Sequence, residues 1–446
     1  MTAERVDGGL APVPSPAALA RLARTGATPD DLDLLLRGLH SRRLVLLKSL
    51  LTGLDRHPEA VPGPARARFE EHWRLLERAE DHAPAAVRAT LDYPPVGTWL
   101  ARTLAAVGGP ALPGRLEHFG AVAAAAALRA GTPFELTLTT RGGQLALPGI
   151  GALAAPAPAV RVTAHEHTAR LTTPGSRRTA AALLRTGHRV RGVGPGWREP
   201  RRLPGSTTLL DDLDPFRAPP DGVGHAALPA APRAVTRDEP WPRLWRSALS
   251  LLRATDPRRA AETTALLRCL VPLAPTGPFG QQARRVSATF RAAPGAVLTT
   301  LPDGPADLAA VLVHETQHSK LALLQDLLPL HRAGPHAAYR VGWRPDPRPL
   351  AGVLQGTYAH LALADFWGRF AGRAVLPPGA RHDARARHDS YRRQVAEALP
   401  ILLESKELTS AGREFAIGMQ RHHAGLARDG GTGAADGEPS PFGDVR

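Results

Sequence analysis

The residues His314-Glu315-Thr316-Gln317-His318 place two imidazoles and a carboxylate within little more than one helical turn. On an α-helix, side chains four apart share a face, so His314 and His318 can grip one ion. Glu315 lies beside them as a general base or as a carboxylate that orients a ligand. The preceding run Ala309-Ala310-Val311-Leu312-Val313 should bury the helix, hold the ligands rigid and keep the site dry. The competing reading is a structural histidine pair. A zinc peptidase is the first chemistry such a motif brings to mind. The third ligand counts against the common types: where a metzincin needs Gly and His, this chain has Leu321 and Leu324. Other peptidases take a Glu from a downstream helix, yet none occurs between Glu315 and Glu397.

Candidates for the missing ligand are His331, His336, Asp346, His360 and Asp365. His331 follows Pro329 on a loop, and His336 lies in the turn Gly334-Pro335. His360 falls mid-helix, one turn after Gly356 and among small residues that would let its helix approach the metal. Asp365 would complete a two-His, one-carboxylate triad of the kind iron oxygenases use. In Trp343-Arg344-Pro345-Asp346-Pro347-Arg348-Pro349-Leu350 the prolines should stiffen a loop that leads into the His360 helix. There Arg348, with Arg344 near it, could clamp a carboxylate in two-point fashion; the plainer role for Arg348 is an ion pair with Asp346.

The elements that must position these residues follow from apolar spacing. A helix of about twenty residues is expected from near Asp303–Ala306, with Asp303 as cap, to Pro329, and another from about Leu350 to Phe370. Leu19 to about Leu128 has a helical pattern. Phe134-Glu135-Leu136-Thr137-Leu138-Thr139 alternates as a strand and opens a small β-rich insert over about 132–200. Further helices are expected over Trp245–Arg253, Arg258–Val271 and Ser390–His423, and a strand pair turning at Pro294-Gly295. The fold class is therefore α+β and mainly α-helical, with the β-rich insert in the N-terminal half and a helical metal-binding C-terminal half. The expected divisions are an unstructured 1–18, an N-terminal region 19–217 suited to peptide recognition, a Pro-rich connector 218–240, a catalytic domain 241–423 and an unstructured tail 424–446.

Composition narrows the function. No apolar run reaches the roughly 18 residues of a membrane span, and Met1–Leu10 holds Glu4 and Asp7 in place of a hydrophobic signal core, so a cytoplasmic location is expected. A single cysteine, Cys269, excludes an internal disulfide and a cysteine-rich metal site. The net charge of +15 is almost all arginine, lysine occurring only at 48, 320 and 406. It is dispersed, the denser spots being the turn Gly175-Ser176-Arg177-Arg178 and Arg381–Arg393, which His382, Asp383, His388 and Asp389 interrupt. This argues for an acidic peptide partner ahead of nucleic acid. Two lesser clusters are His165-Glu166-His167, two histidines on one strand face, and Asp211-Asp212-Leu213-Asp214-Pro215, whose Asp-Pro step shapes a turn.

The motif His314-Glu315-Thr316-Gln317-His318, followed by Trp343-Arg344-Pro345-Asp346-Pro347-Arg348-Pro349-Leu350 and Gly356-Thr357-Tyr358-Ala359-His360, resembles the HExxH-motif peptide-modification proteins. These are 2-oxoglutarate-dependent peptide β-hydroxylases encoded beside ribosomal peptide precursors and radical-SAM cyclophane-forming maturases. The resemblance is concentrated in about 310–370. It implies Fe(II) held by His314 and His318, with 2-oxoglutarate as co-substrate and Arg348 on its distal carboxylate. It also implies β-hydroxylation of a precursor-peptide side chain, with the maturase as pathway partner. With His360 as third ligand, the set is three histidines and departs from the usual facial triad. Two rivals stay open: a zinc peptidase using Glu315, and a non-catalytic peptide-binding partner of the maturation enzymes.

Overall fold

Proline, frequent in this chain, marks helix starts. Pro16, Pro29, Pro84, Pro94, Pro257, Pro305 and Pro378 each sit in a first helical turn, where the missing N–H breaks no bond. The computed structural model describes residues 13–173, 179–187, 189–278, 280 and 285–429. It is α+β and mainly helical, with sheets in the N-terminal half. The chain opens with helices α1 (Pro16–Ala23), α2 (Pro29–Arg56), α3 (Gly63–His82), α4 (Pro84–Leu91), α5 (Pro94–Leu104), α6 (Leu112–Leu116) and α7 (His118–Ala130). Strands follow: β1 (Phe134–Thr139), β2 (Gln144–Leu147), β3 (Gly151–Ala154), β4 (Ala159–Ala164), β5 (Thr168–Thr172), β6 (Thr179–Thr186), β7 (Arg189–Val193) and β8 (Trp197–Arg198). One antiparallel sheet runs β1-β4-β5-β6-β7, and a smaller one β2-β3-β8. β1 buries alternate residues, and the inward set packs in one core with the alanine-rich α7, whose small side chains let the sheet come close.

Strands β9 (Arg201–Arg202) and β10 (Leu209–Leu210) then join a second sheet with β11 (Cys269–Pro272), β12 (Ser287–Ala288) and β13 (Ala296–Thr299), ordered β12-β13-β11-β10-β9. Around it lie α8 (Arg233–Thr236), α9 (Trp241–Thr255), α10 (Pro257–Leu266), α11 (Pro305–Leu327), the hairpin β14 (Tyr339–Val341) and β15 (Arg344–Arg348), α12 (Leu350–Ala371), α13 (Pro378–Glu404) and α14 (Ser410–Asp429). Among the described residues no helix is long and apolar enough to cross a membrane.

Several expectations change. The stretch 218–240 is not a free connector: β10, before it, pairs in parallel with β11, after it, while Val223, Leu228 and Ala231 are buried and Ala230 bridges Leu273. The N-terminal helices also belong to the C-terminal core, where Leu22, Leu35 and Leu39 pack with Leu321, Leu354 and Phe415. None of the prolines there is buried, but the residues between them are anchored in the core, which composition alone does not reveal. The helix expected through Val271 ends at Leu266. Cys269-Leu270-Val271 is fully buried β-strand, a short apolar run that periodicity cannot tell from a helix. α11 starts after Gly304, and Asp303 pairs with Arg285 in place of capping. The last helical region is two helices, α13 beginning earlier than expected. Residues 16–18 and 424–429 are helical, whereas 1–12, 430–446 and the turn 175–178 lie outside the described residues.

Buried polar ties fix the two helices that matter most. Lys320 on α11 donates to Glu262 on α10 (2.9 Å) and to the Thr25 carbonyl (2.9 Å). On α12, the Tyr358 hydroxyl donates to the Leu22 carbonyl (2.7 Å), and Asp365 accepts from Arg259 (2.6 Å). An unpaired charge inside a core costs several kcal/mol, so these pairs tolerate little displacement.

Candidate metal centre

α11 turns His314 and His318 to one side, and their Nε2 atoms stand 3.0 Å apart. The His318 Nδ1 lies 2.9 Å from the Gln355 carbonyl oxygen on α12, and the Gln355 amide in turn donates to Gln325. This puts the His318 proton on Nδ1 and leaves Nε2 with its lone pair. Burial, then the neighbouring His318, holds His314 down to about 4, so it is a neutral base at neutral pH, the form that ligates a metal. Two nitrogens bonded at roughly 2.1 Å to one ion and at right angles would be roughly 3 Å apart, so the pair fits a transition-metal ion.

His360 borders the pair, its ring 5.6 Å from that of His314. Trp343 (4.7 Å) and Tyr391 (5.1 Å) wall it edge-on, and its Nδ1 is buried without a partner. Burial and the two other histidines push its pKa well below the usual value. Gly356, one turn earlier, lets Trp343 close in: a Cβ there would meet the indole at 2.7 Å. Glu315 is buried, accepts from the Ser287 hydroxyl (2.6 Å) and lies 4.0 Å from the His314 Nε2.

All of these except Tyr391 line one open cavity of about 530 Å³, together with Arg344 and Arg348. The segment expected as a stiff loop is strand β15, whose alternation sends Arg344, Asp346 and Arg348 the same way. Arg348 lies against Gly352, with Asp346 at 3.6 Å, and Arg344 contacts His225 at 3.3 Å. The cavity can therefore hold a cation on imidazoles and a small carboxylate beside arginines.

Of the other ligand candidates, His331 also lines the cavity, whereas His336 is exposed and points to no partner there. Asp365 is corrected outright: Arg259 and Arg369 (2.8 Å) occupy its carboxylate and, against the burial, hold it at about 2. Among the described residues no three His, Cys, Asp or Glu side chains converge as a complete cage. Elsewhere, His165-Glu166-His167 is an exposed hairpin end, not a strand face. Asp211 and Asp214 accept backbone N–H groups in a buried turn, and Asp212 is tied to Arg233 and Arg201. Ser287, Gln355 and Trp343 were not singled out as positioning residues. Trp343 opens the motif that leads into the His360 helix and Gln355 stands one position before Gly356, so both carried a local signal, and Ser287 carried none. No protein-family model and no curated protein matches the chain.

Proposed function

We propose that the protein is an iron(II)- and 2-oxoglutarate-dependent hydroxylase acting on a side-chain β-carbon of a ribosomally made precursor peptide. The observation that carries this reading is one cavity lined by a paired His314 and His318, an adjoining His360 and two arginines, Arg344 and Arg348. A peptidase explains the histidines as well; the arginines beside them favour a reaction that also binds a small carboxylate. Iron(II), when bound, supplies oxygen activation coupled to oxidative decarboxylation of the co-substrate, so that the peptide C–H, oxygen and 2-oxoglutarate become the alcohol, carbon dioxide and succinate. In this scheme the His314–His318 pair would hold the ion, with the adjoining His360 moving in as third ligand, and Gln355 would orient His318. Glu315, kept acceptor-ready by Ser287, adds the negative charge that favours a cation. Arg348, with Arg344 near it, would take the free carboxylate.

A zinc peptidase is the second reading, supported by Glu315 lying 4.0 Å from the His314 Nε2, where it could activate water. Anaerobic loading with iron(II) and 2-oxoglutarate separates the two. The expected result is a visible metal-to-ligand charge-transfer band that is lost in His314→Ala. No band, with tightly bound zinc and peptide cleavage that disappears in Glu315→Gln, would overturn the hydroxylase.

A further inference from the structure

A second and larger cleft, of about 720 Å³, lies outside the metal centre. One wall is Arg189-Val190-Arg191 of β7, the last strand of its sheet, which among the described residues pairs only with β6. The Gly192 amide donates to the Glu199 carboxylate and so points away from β6. Alternation then turns the Val190 N–H and C=O the same way, leaving a backbone donor and acceptor on the free edge facing the cleft.

The cleft is also charged. Arg189, Arg191 and Arg202 line it, and among the described residues none has a side-chain carboxylate or hydrogen-bond partner. The other cations there are occupied: Arg88 pairs with Asp92, Arg129 donates to Thr90 and the Pro148 carbonyl, and Arg268 donates to the Ala265 carbonyl. Partial burial first, then the neighbouring Arg189 and Arg191, depress the Arg202 pKa.

We propose that this cleft binds an acidic, extended peptide segment, which adds a strand to β7 while its carboxylates meet Arg189, Arg191 and Arg202. Backbone pairing plus charge-assisted contacts to alternate side chains is the recognition mode such an edge supports. Nucleic acid fits less well. Among the described residues the sole aromatic lining residue, Tyr93, is buried with its hydroxyl on Asp211 and offers no stacking platform, and a free strand edge has no partner in a phosphate backbone.

The test needs no metal, so its failure leaves the hydroxylase reading standing and the reverse also holds. Fluorescence anisotropy would follow a short labelled peptide of alternating Glu and Val on the full chain. Expected is saturable, salt-weakened binding that drops at least about tenfold in the Arg191→Gln/Arg202→Gln double variant. A similar drop is expected when alternate peptide amides are N-methylated, which removes strand pairing but keeps the charge. A thermal unfolding midpoint for the double variant equal to that of the wild type checks its fold. Equal binding by the double variant, equal binding of the methylated peptide, or displacement by free glutamate at the same carboxylate concentration would each overturn the proposal. A single-stranded oligonucleotide that binds more tightly than the peptide would also overturn it.

Discussion

Gln355→Ala tests the geometry of the histidine pair without touching a ligand. The His318 Nδ1 donates to the Gln355 carbonyl at 2.9 Å, and the Gln355 amide is itself anchored on Gln325 at 3.3 Å. Truncation removes the acceptor and leaves a part-buried N–H for water to satisfy. A neutral hydrogen bond is worth about 0.5–1.5 kcal/mol net, and loss of a partner to a metal-bound histidine typically costs about 10–100-fold in affinity. Because the cavity is open and water can replace the lost oxygen, the lower end applies: a rise of about tenfold in the Kd for iron(II), near 1.4 kcal/mol. The assay is anaerobic titration against a fluorescent chelator, with Gln355→Glu beside it. The glutamate retains an acceptor, and the Gln325 amide can turn to donate to it, so affinity should match or exceed that of the wild type. An alanine variant within about twofold of wild type, or a glutamate variant weaker than alanine, would refute the assigned tautomer and the role of Gln355.

Three further outcomes follow from the same structure. Gly356→Val drives a side chain into the Trp343 indole, so a loss of about 1–3 kcal/mol and a shift in tryptophan emission are expected; an unchanged Tm would show that Trp343 does not pack there. Glu262→Ala strands the fully buried Lys320 ammonium and should cost about 3–5 kcal/mol in urea unfolding, whereas a loss under about 1 kcal/mol would mean that water reaches Lys320. His72 is buried and held at about 4, first by burial and then by Arg68. Between about pH 6.5 and 4 the unfolded chain takes the proton and the folded one does not, so stability present above pH 6.5 is lost as pH falls. Removing that proton site in His72→Gln should cut the loss between about pH 7.5 and 5 by on the order of 2 kcal/mol; parallel pH profiles for the two proteins would contradict it.

How far the sequence could be read depended on the range of the interactions. The helix bearing His314 and His318 was legible because apolar periodicity and Pro329 are local signals, and so were the α12 span and the β1 alternation. Cys269 was misassigned because four apolar residues buried on both faces carry no period. The connector at 218–240 was misplaced because composition does not record that β10 and β11 are neighbours. Asp365 had the right type and spacing for a ligand, but Arg259, more than a hundred positions earlier in the chain, claims its carboxylate.

By itself, the sequence determined that two imidazoles four residues apart share a helical face, that Glu315 accompanies them, and that no later Glu can serve before Glu397. Local backbone geometry enforces the first two wherever a helix forms, and the third is a matter of composition. Only the tertiary structure decided which residues surround that face. Gln355 and His360 reach it because α11 and α12 pack against each other, Trp343 because the β14–β15 turn lies against α12, and Ser287 because β12 lies beside α11. Arg348 borders it because β15 alternates toward the cavity. Those neighbours are chosen by core packing between segments far apart in the chain, which no local pattern encodes.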